Sequence, residues 1–281
     1  MLGRLGLRVI ALGYLALLLA MPLAIVFFNT FSTGLGAVWT ALTRPEALHA
    51  LWMTLIITAI AVPANTVFGI ICALALVRGK FAGKRILDAV IDLPFAVSPV
   101  VVGLSLFIVY GRQSAFGAWL TAHGIHVIFS WPGMALATIF VSLPFVVREV
   151  APTLAEIGID QEQAAAVLGA TAWQTFWRVT LPGIRWGVIY GVVLTTARSL
   201  GEFGAVSVVS GHLSGQTETL TLYVEDRYQA FDPVGAYTAA VVLAILAFIT
   251  LAAMNWLAKL EKRKWLSQPT ASASSSATTS P

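Results

Sequence analysis

The sequence is poor in cysteine and in charge. Its 281 residues include one cysteine, Cys72, so no intrachain disulfide is possible. That residue lies inside an apolar run and reads as a small buried hydrophobe. Only 11% of residues are charged, whereas a soluble domain carries roughly a quarter. No Gly-x-x-x-x-Gly-Lys-Ser/Thr stretch is present to cradle a nucleotide phosphate, and no nucleophile triad stands out. Catalysis by this chain, ATP hydrolysis included, is therefore not expected, and neither is a cofactor. The formal charge is +4, but the lysines and arginines sit between apolar runs rather than in one patch, which argues against nucleic acid as a partner.

What the chain has instead is apolar length. Hydrophobic residues make up 58% of it and form runs over 9–28, 51–77, 87–110, 133–151, 187–209 and 234–257. A bilayer crossing takes about 20 such residues. The expectation is an all-α integral membrane protein with six transmembrane helices and lipid as its main solvent. The first run follows Arg4 and Arg8, exceeds a signal-peptide core and lacks a small-residue cleavage pattern, so it reads as a retained helix. Pro63, Pro94, Pro99 and Pro144 fall in or near spans, where neighbouring helices can repair the bonds that a kink removes. The chain divides into a first helix and outer loop over 1–50, a helical core over 51–258, and a small, polar, low-complexity tail over 267–281 that is expected to be disordered.

Basic residues orient the spans. Arg4, Arg8, Arg78, Lys80, Lys84, Arg85, Arg148, Arg178, Arg185, Arg198, Lys259, Lys262, Arg263 and Lys264 are assigned to one side, against Arg44, Arg112 and Arg227 on the other. The positive-inside rule then puts both termini in the cytoplasm, in agreement with an even number of spans. Trp39, Trp52, Trp119 and Trp131 fall near the outer span ends, with Trp173, Trp177, Trp186, Trp256 and Trp265 near the inner ones, as in two interfacial belts.

The longest cytoplasmic stretch, over 152–186, reads as two short helices around a glycine. Asp160 is placed to cap the first helix, with Gln163 returning the bond, and Glu162 sits near the positive end of the dipole. Gly169 suits the left-handed position that ends a helix. Thr171 and Gln174 repeat the capping-box spacing for a second helix, which Pro182 is expected to stop. The small faces of Ala164, Ala165 and Ala166, followed by Leu168, have little to pack against on a chain of lipid-facing helices. They suggest either a docked partner or a loop lying on the membrane surface.

Those residues resemble the cytoplasmic signature of permease subunits of ATP-binding-cassette importers: Glu-Ala-Ala, three residues, Gly, nine residues, Ile, one residue, Leu-Pro. Here Gln163-Ala164-Ala165, Gly169, Val179 and Leu181-Pro182 keep the spacing, with Gln for Glu and Val for Ile. The resemblance covers about 50–257 and implies a type I importer (MetI-like) permease fold. It also implies that the segment is a coupling helix that inserts into a separate ATPase, present in two copies, with docking residues Glu162, Gln163, Ala164, Ala165, Leu168, Gly169, Leu181 and Pro182. Ile91-Asp92-Leu93-Pro94 onward and Arg198-Ser199-Leu200-Gly201-Glu202-Phe203-Gly204 resemble the sulfate/thiosulfate permeases, with molybdate permeases as near relatives. The stretches Phe129-Ser130-Trp131-Pro132-Gly133 and 137–141 look most similar to the CysW-type group. That likeness implies a second homologous permease subunit, an extracytoplasmic sulfate-binding protein, and a place in the cytoplasmic (inner) membrane. A secondary transporter or channel is the reading from a different class.

In span five, Arg198 and Glu202 are one turn apart and able to pair. Two readings stand: a self-neutralising pair that fixes helix packing, or an arginine bordering an anion route with Thr195, Thr196 and Ser199 as hydroxyl donors. Asp88 and Asp92, one turn apart just after Lys84 and Arg85, read as local charge pairing at the inner interface, with proton coupling as the lesser alternative. His123 and His126 read as plain loop histidines, since two ligands make an incomplete metal site. Glu218, Glu225, Asp226, Arg227 and Asp232 read as solvated charge on the last outer loop, or as contacts for the binding protein.

Overall fold

Proline and glycine decide where the helices of this chain begin, widen and break. The structure, a computed structural model, describes residues 2–266, and the tail over 267–281 lies outside the described residues. Along the chain the helices are α1 (Leu2–Leu15), α2 (Met21–Ser32), α3 (Leu35–Leu42), α4 (Pro45–Arg78), α5 (Lys84–Ala96), α6 (Pro99–Tyr110) and α7 (Ala115–Ala122). They continue as α8 (Trp131–Ile157), α9 (Asp160–Val167), α10 (Ala172–Thr175), α11 (Leu181–Leu200), α12 (Gly204–Ser210), α13 (Leu220–Gln229) and α14 (Pro233–Leu266). Proline stands in the first turn of α4, α6 and α8, where its missing N–H costs no helical bond.

Among the described residues, five stretches are long and apolar enough to cross a membrane: Ile10–Ser32, Pro45–Arg78, Trp131–Ile157, Ala172–Leu200 and Pro233–Lys259. The sixth expected span is not a straight helix. Between α5 and α6 the axis turns by 111°. Val97 and Ser98 are both extended there, with ψ of 135° and 134°, because the ring of Pro99 disfavours the helical conformation in the residue before it. Six spans therefore hold only if this broken pair counts as one.

Span five also departs from expectation. It begins at Ala172 rather than near 187 and ends at Leu200 rather than near 209. Pro182 does not stop it. The winding between α10 and α11 widens to a π-type turn over Phe176–Thr180, and the Leu181 N–H reaches back to the Phe176 carbonyl. The same widening occurs over Ala16–Ala20, two residues ahead of Pro22, with Met21 bonded to Ala16. An extra residue in the turn moves the carbonyl that the proline ring would otherwise strike, so the helix continues through it. Arg198 consequently lies in the last turn of α11. That is about 20 Å along the axis from Arg185, and away from the basic end to which it was assigned.

The centre of the bundle is α8. Over its apolar window 56% of residues are buried, against none in the corresponding window of Ile10–Ser32. Val146 on α8 is fully buried, seated between Gly69 of α4 and Gly191 of α11. A Cβ at Gly69 would fall 2.6 Å from the Val146 Cβ, and one at Gly191 would fall 2.9 Å from its Cα. Backbones approach this closely only where small residues face each other, the usual means of helix association in lipid. Ala73, Val150, Leu154 and Ile184 extend the seam toward the α9 end. Cys72 packs with Leu76, Ile91 and Val147, buried as expected. Arg148 on α8 reaches both Asp88 and Asp92 on α5, at 2.8 Å from an oxygen of each. These aspartates are thus tied across helices, not to Lys84 and Arg85.

Candidate functional site

The α9 segment departs in part from the local pattern read in its sequence. Asp160 is the first helical residue and no side chain caps α9, so the expected Asp160–Gln163 capping box does not form. The C-terminal end is as expected. Gly169 has φ of +84°, its N–H bonds to the Ala166 carbonyl, and the Ala170 N–H bonds to that of Ala165. These are the two bonds of a Schellman turn. Thr171 and Gln174 form the full capping box that opens α10.

This turn presents an apolar tip to solvent. Val167 is 88% exposed, Leu168 87% and Trp173 70%. Gln163, Ala164, Ala166 and Gly169 are exposed beside them, and Ala165 is half-buried. Side chains this bare at the end of a short helix gain nothing from the fold that holds them there. Sequence reasoning named Leu168 but missed Val167 and Trp173; the run Val167-Leu168 just before the turn glycine was the available signal. Leu181 belongs elsewhere, packed beside Ile157 and Val188 in the seam between α8 and α11, while Pro182 is exposed.

Glu162 is turned inward, not toward the exposed tip. Its carboxylate accepts from Arg78 at the end of α4, at 3.1 Å from Nε and 3.3 Å from Nη2, and from the Thr180 hydroxyl at 3.0 Å. Arg78 also donates to the Gly158 carbonyl. The sequence reading had counted Arg78 only as a topology charge. Its partner stands 84 positions away, and no local pattern announces such a pair.

In α11, Arg198 Nη1 lies 2.6 Å from Glu202 Oε2. The other oxygen of Glu202 accepts from the Ala205 N–H at 2.9 Å and so opens α12. Thr195 and Ser199 are buried, and their hydroxyls have no hydrogen-bond partner. Thr196 bonds to the Val192 carbonyl. Ser199 and Glu202 share a small void with Thr54, Thr138 and Thr219 inside the bundle. Of the four residues considered for a path, then, Thr195, Ser199 and Glu202 face the packed interior, and Arg198 alone is partly exposed.

The far end of the bundle is less solvated than its charge implied. Glu218 is 1% exposed. Burial pushes its carboxyl above the ordinary range, helped by Asp226 and opposed by Ser214, Arg227 and His212. Asp232 pairs with Arg44. Burial would raise the Asp232 carboxyl, but bonds from Arg44 and the Gly235 N–H, with the charges of Arg44 and Arg227, hold it below the ordinary range. Both residues therefore correct the reading of solvated loop charge. The His123 ring packs against Trp119 at a tilt of 42°, with ring centres 4.5 Å apart, and bonds to its carbonyl. Beside this loop a cavity of about 840 Å³ opens, lined by residues including Phe107, Arg112, His126 and Phe129.

A bundle of apolar helices with a broken third span and an exposed turn ahead of the fifth is the architecture of a membrane-embedded protein. The chain belongs to the family of binding-protein-dependent transport system inner membrane components, matched over residues 65–264. It is 52% identical over 242 residues to the sulfate transport system permease protein CysW of Synechococcus elongatus, covering 86% of this chain and 85% of that one. To the CysW protein of Escherichia coli strain K12 it is 49% identical over 252 residues, covering 88% and 87%. The CysT permease of the same strain is 38% identical over 247 residues, covering 88% and 89%. Among solved structures, a bacterial transporter that imports alginate matches with a TM-score of 0.74 at 16% identity, covering 92% and 95%. The MetNI methionine transporter matches at 0.59 and 18%, covering 76% and 95%. At such identities these two show the fold, a permease of the ATP-binding-cassette importer type.

Proposed function

We propose that this chain is one transmembrane subunit of an ATP-driven importer of sulfate or thiosulfate in the cytoplasmic membrane. The reading of the cargo rests on 49–52% identity to sulfate permeases over most of the chain. The reading of the drive rests on the exposed apolar tip at Val167, Leu168 and Trp173. In this reading the α9 turn docks on a separate ATPase, of which the complex holds two copies, with Gln163, Ala164, Ala165, Leu168 and Gly169 at the contact. A CysT-like second permease completes the membrane pair, and a sulfate-binding protein delivers the anion from the far side. Both termini then lie in the cytoplasm with α9, as the basic-residue bias supports.

Co-purification of the ATPase, together with sulfate uptake in a strain lacking its own importer, tests the reading. Val167→Asp with Leu168→Asp removes the apolar tip without touching the core, so membrane abundance should hold while ATPase recovery and uptake fall. Undiminished recovery in that variant would refute docking through α9. Uptake of molybdate but not of sulfate by the wild-type complex would overturn the cargo alone.

A further inference from the structure

Gly158 and Gly169 flank the eight residues of α9, and both adopt backbone angles that strain other residues, with φ of 70° and 84°. Gly158, at ψ of −164°, joins α9 to α8. A Cβ at either glycine would meet nothing within 4 Å, so each junction has open space beside it. Apart from the chain connections, α9 leans on α10 and on the π-type turn that leads into α11, a small contact that by itself holds a short helix weakly.

A further tie adds to this hold. Arg78 grips both sides of the Gly158 junction: the carbonyl of Gly158 and, with two nitrogens, the carboxylate of Glu162 on α9. The same carboxylate takes the hydroxyl of Thr180, which is buried at 7% exposure where the chain enters α11. One side chain of α9 thus joins α4, α9 and the start of α11. The Arg78 and Glu162 side chains are only 20% and 24% exposed, so water screens this pair less than an ordinary surface ion pair. A two-pronged guanidinium–carboxylate contact also fixes orientation, not only distance. α4 in turn carries Gly69 against Val146, at the centre of the bundle.

We propose that Arg78 and Glu162 are positioning residues that latch α9 to α4. A displacement imposed on α9 by a docked partner then reaches the central seam through α4 as well as through the chain connections. This inference rests on the docking reading above and adds the route by which docking acts on the bundle.

The test uses the whole complex, with both permeases, the ATPase and the binding protein, reconstituted in vesicles. It measures sulfate taken up per ATP hydrolysed, alongside ATPase recovery. Arg78→Gln leaves the exposed tip intact and should keep ATPase recovery, but uptake per ATP should fall by about tenfold or more, since the paired grip on Glu162 and the bond to Gly158 are lost together. Glu162→Gln should lower the same ratio, and the exchange Arg78→Glu with Glu162→Arg should restore only the share due to the ion pair, since a carboxylate at position 78 cannot donate to the Gly158 carbonyl. Arg78→Lys, which keeps the charge but not the double grip, should fall in between and serves if Arg78→Gln is poorly produced. A merely structural role would lower abundance and leave the ratio alone. An unchanged ratio in both Arg78→Gln and Arg78→Lys would overturn the latch, even where the Val167→Asp, Leu168→Asp variant upholds docking. Undiminished recovery in that last variant would remove the docking reading itself.

Discussion

Arg198 and Glu202 are unequal partners: their charged atoms are 2.6 Å apart, but the glutamate side chain is 2% exposed and the arginine 29%. Removing the arginine strands a buried carboxylate, whereas removing the charge from the glutamate leaves a cation with some access to solvent. Arg198→Gln should therefore destabilise the chain by about 3 kcal/mol. Glu202→Gln retains an oxygen for the Ala205 N–H and should cost only about 1 kcal/mol. The double variant should be more stable than Arg198→Gln alone. Thermal unfolding in detergent distinguishes these, and equal losses in the two single variants would contradict the asymmetry.

Val146 gives a test of the central seam. Gly69→Ala forces a methyl group to within 2.6 Å of Val146 in the absence of movement, an overpacking that should cost about 1–3 kcal/mol. Only loss of the opposing Cβ makes room, because that atom is itself 2.6 Å away, so Gly69→Ala with Val146→Gly should be less destabilised than the sum of the two single changes. Strict additivity, read from the same unfolding measurements, would mean that the two residues do not meet.

Much of this fold is legible in the sequence, because apolar length and turn chemistry are local signals. The spans, the left-handed Gly169 and the Thr171–Gln174 box are all written within a few residues. The departures arise where a local signal met a tertiary one. Pro99 reads as a kink but turns the chain by 111°; α12 then packs its backbone on α6, where a Cβ at Gly103 would lie 2.6 Å from the Ala205 carbonyl. Pro182 reads as a stop, yet one extra residue in the preceding turn lets the helix pass. Glu162 looked free to dock because its partner, Arg78, lies on a different helix. Glu218 looked solvated because nothing nearby in sequence reveals that the fold covers it.

The two carboxylates at the far end, Glu218 and Asp232, should respond to pH in opposite directions. The Asp232 carboxyl is held below its ordinary value of 3.8, so its stabilising contribution is present above that pH and is lost as pH falls through the lower folded value. Asp232→Asn should then be less stable than wild type near neutrality, with the gap closing on strong acidification. Glu218 is raised above 4.5, so its contribution is full below that pH and is lost as pH rises through the higher folded value. Glu218→Gln mimics the neutral form and should be the more stable protein at pH 8, with no advantage below 4.5. Unfolding temperatures in detergent across this range check both signs. A parallel pH response of the two variants would show that burial and pairing have been misjudged at one of them.

Gly169 separates backbone strain from steric bulk. Its φ is +84° and a Cβ there would meet nothing within 4 Å, so a substitution costs only the strain of a left-handed residue. That strain is about 1–2 kcal/mol for an ordinary side chain, less for asparagine and more for a β-branched one. The strain falls on the turn that aims Val167 and Leu168, and the central seam does not share it. ATPase recovery should therefore decline in the order Gly169, Gly169→Asn, Gly169→Ala, Gly169→Val, while the unfolding temperature of the bundle stays nearly constant. Were bulk the controlling factor, asparagine would impair recovery more than alanine, since it is the larger side chain. The relative order of those two variants thus decides whether the partner reads the conformation of this turn or merely the space beside it.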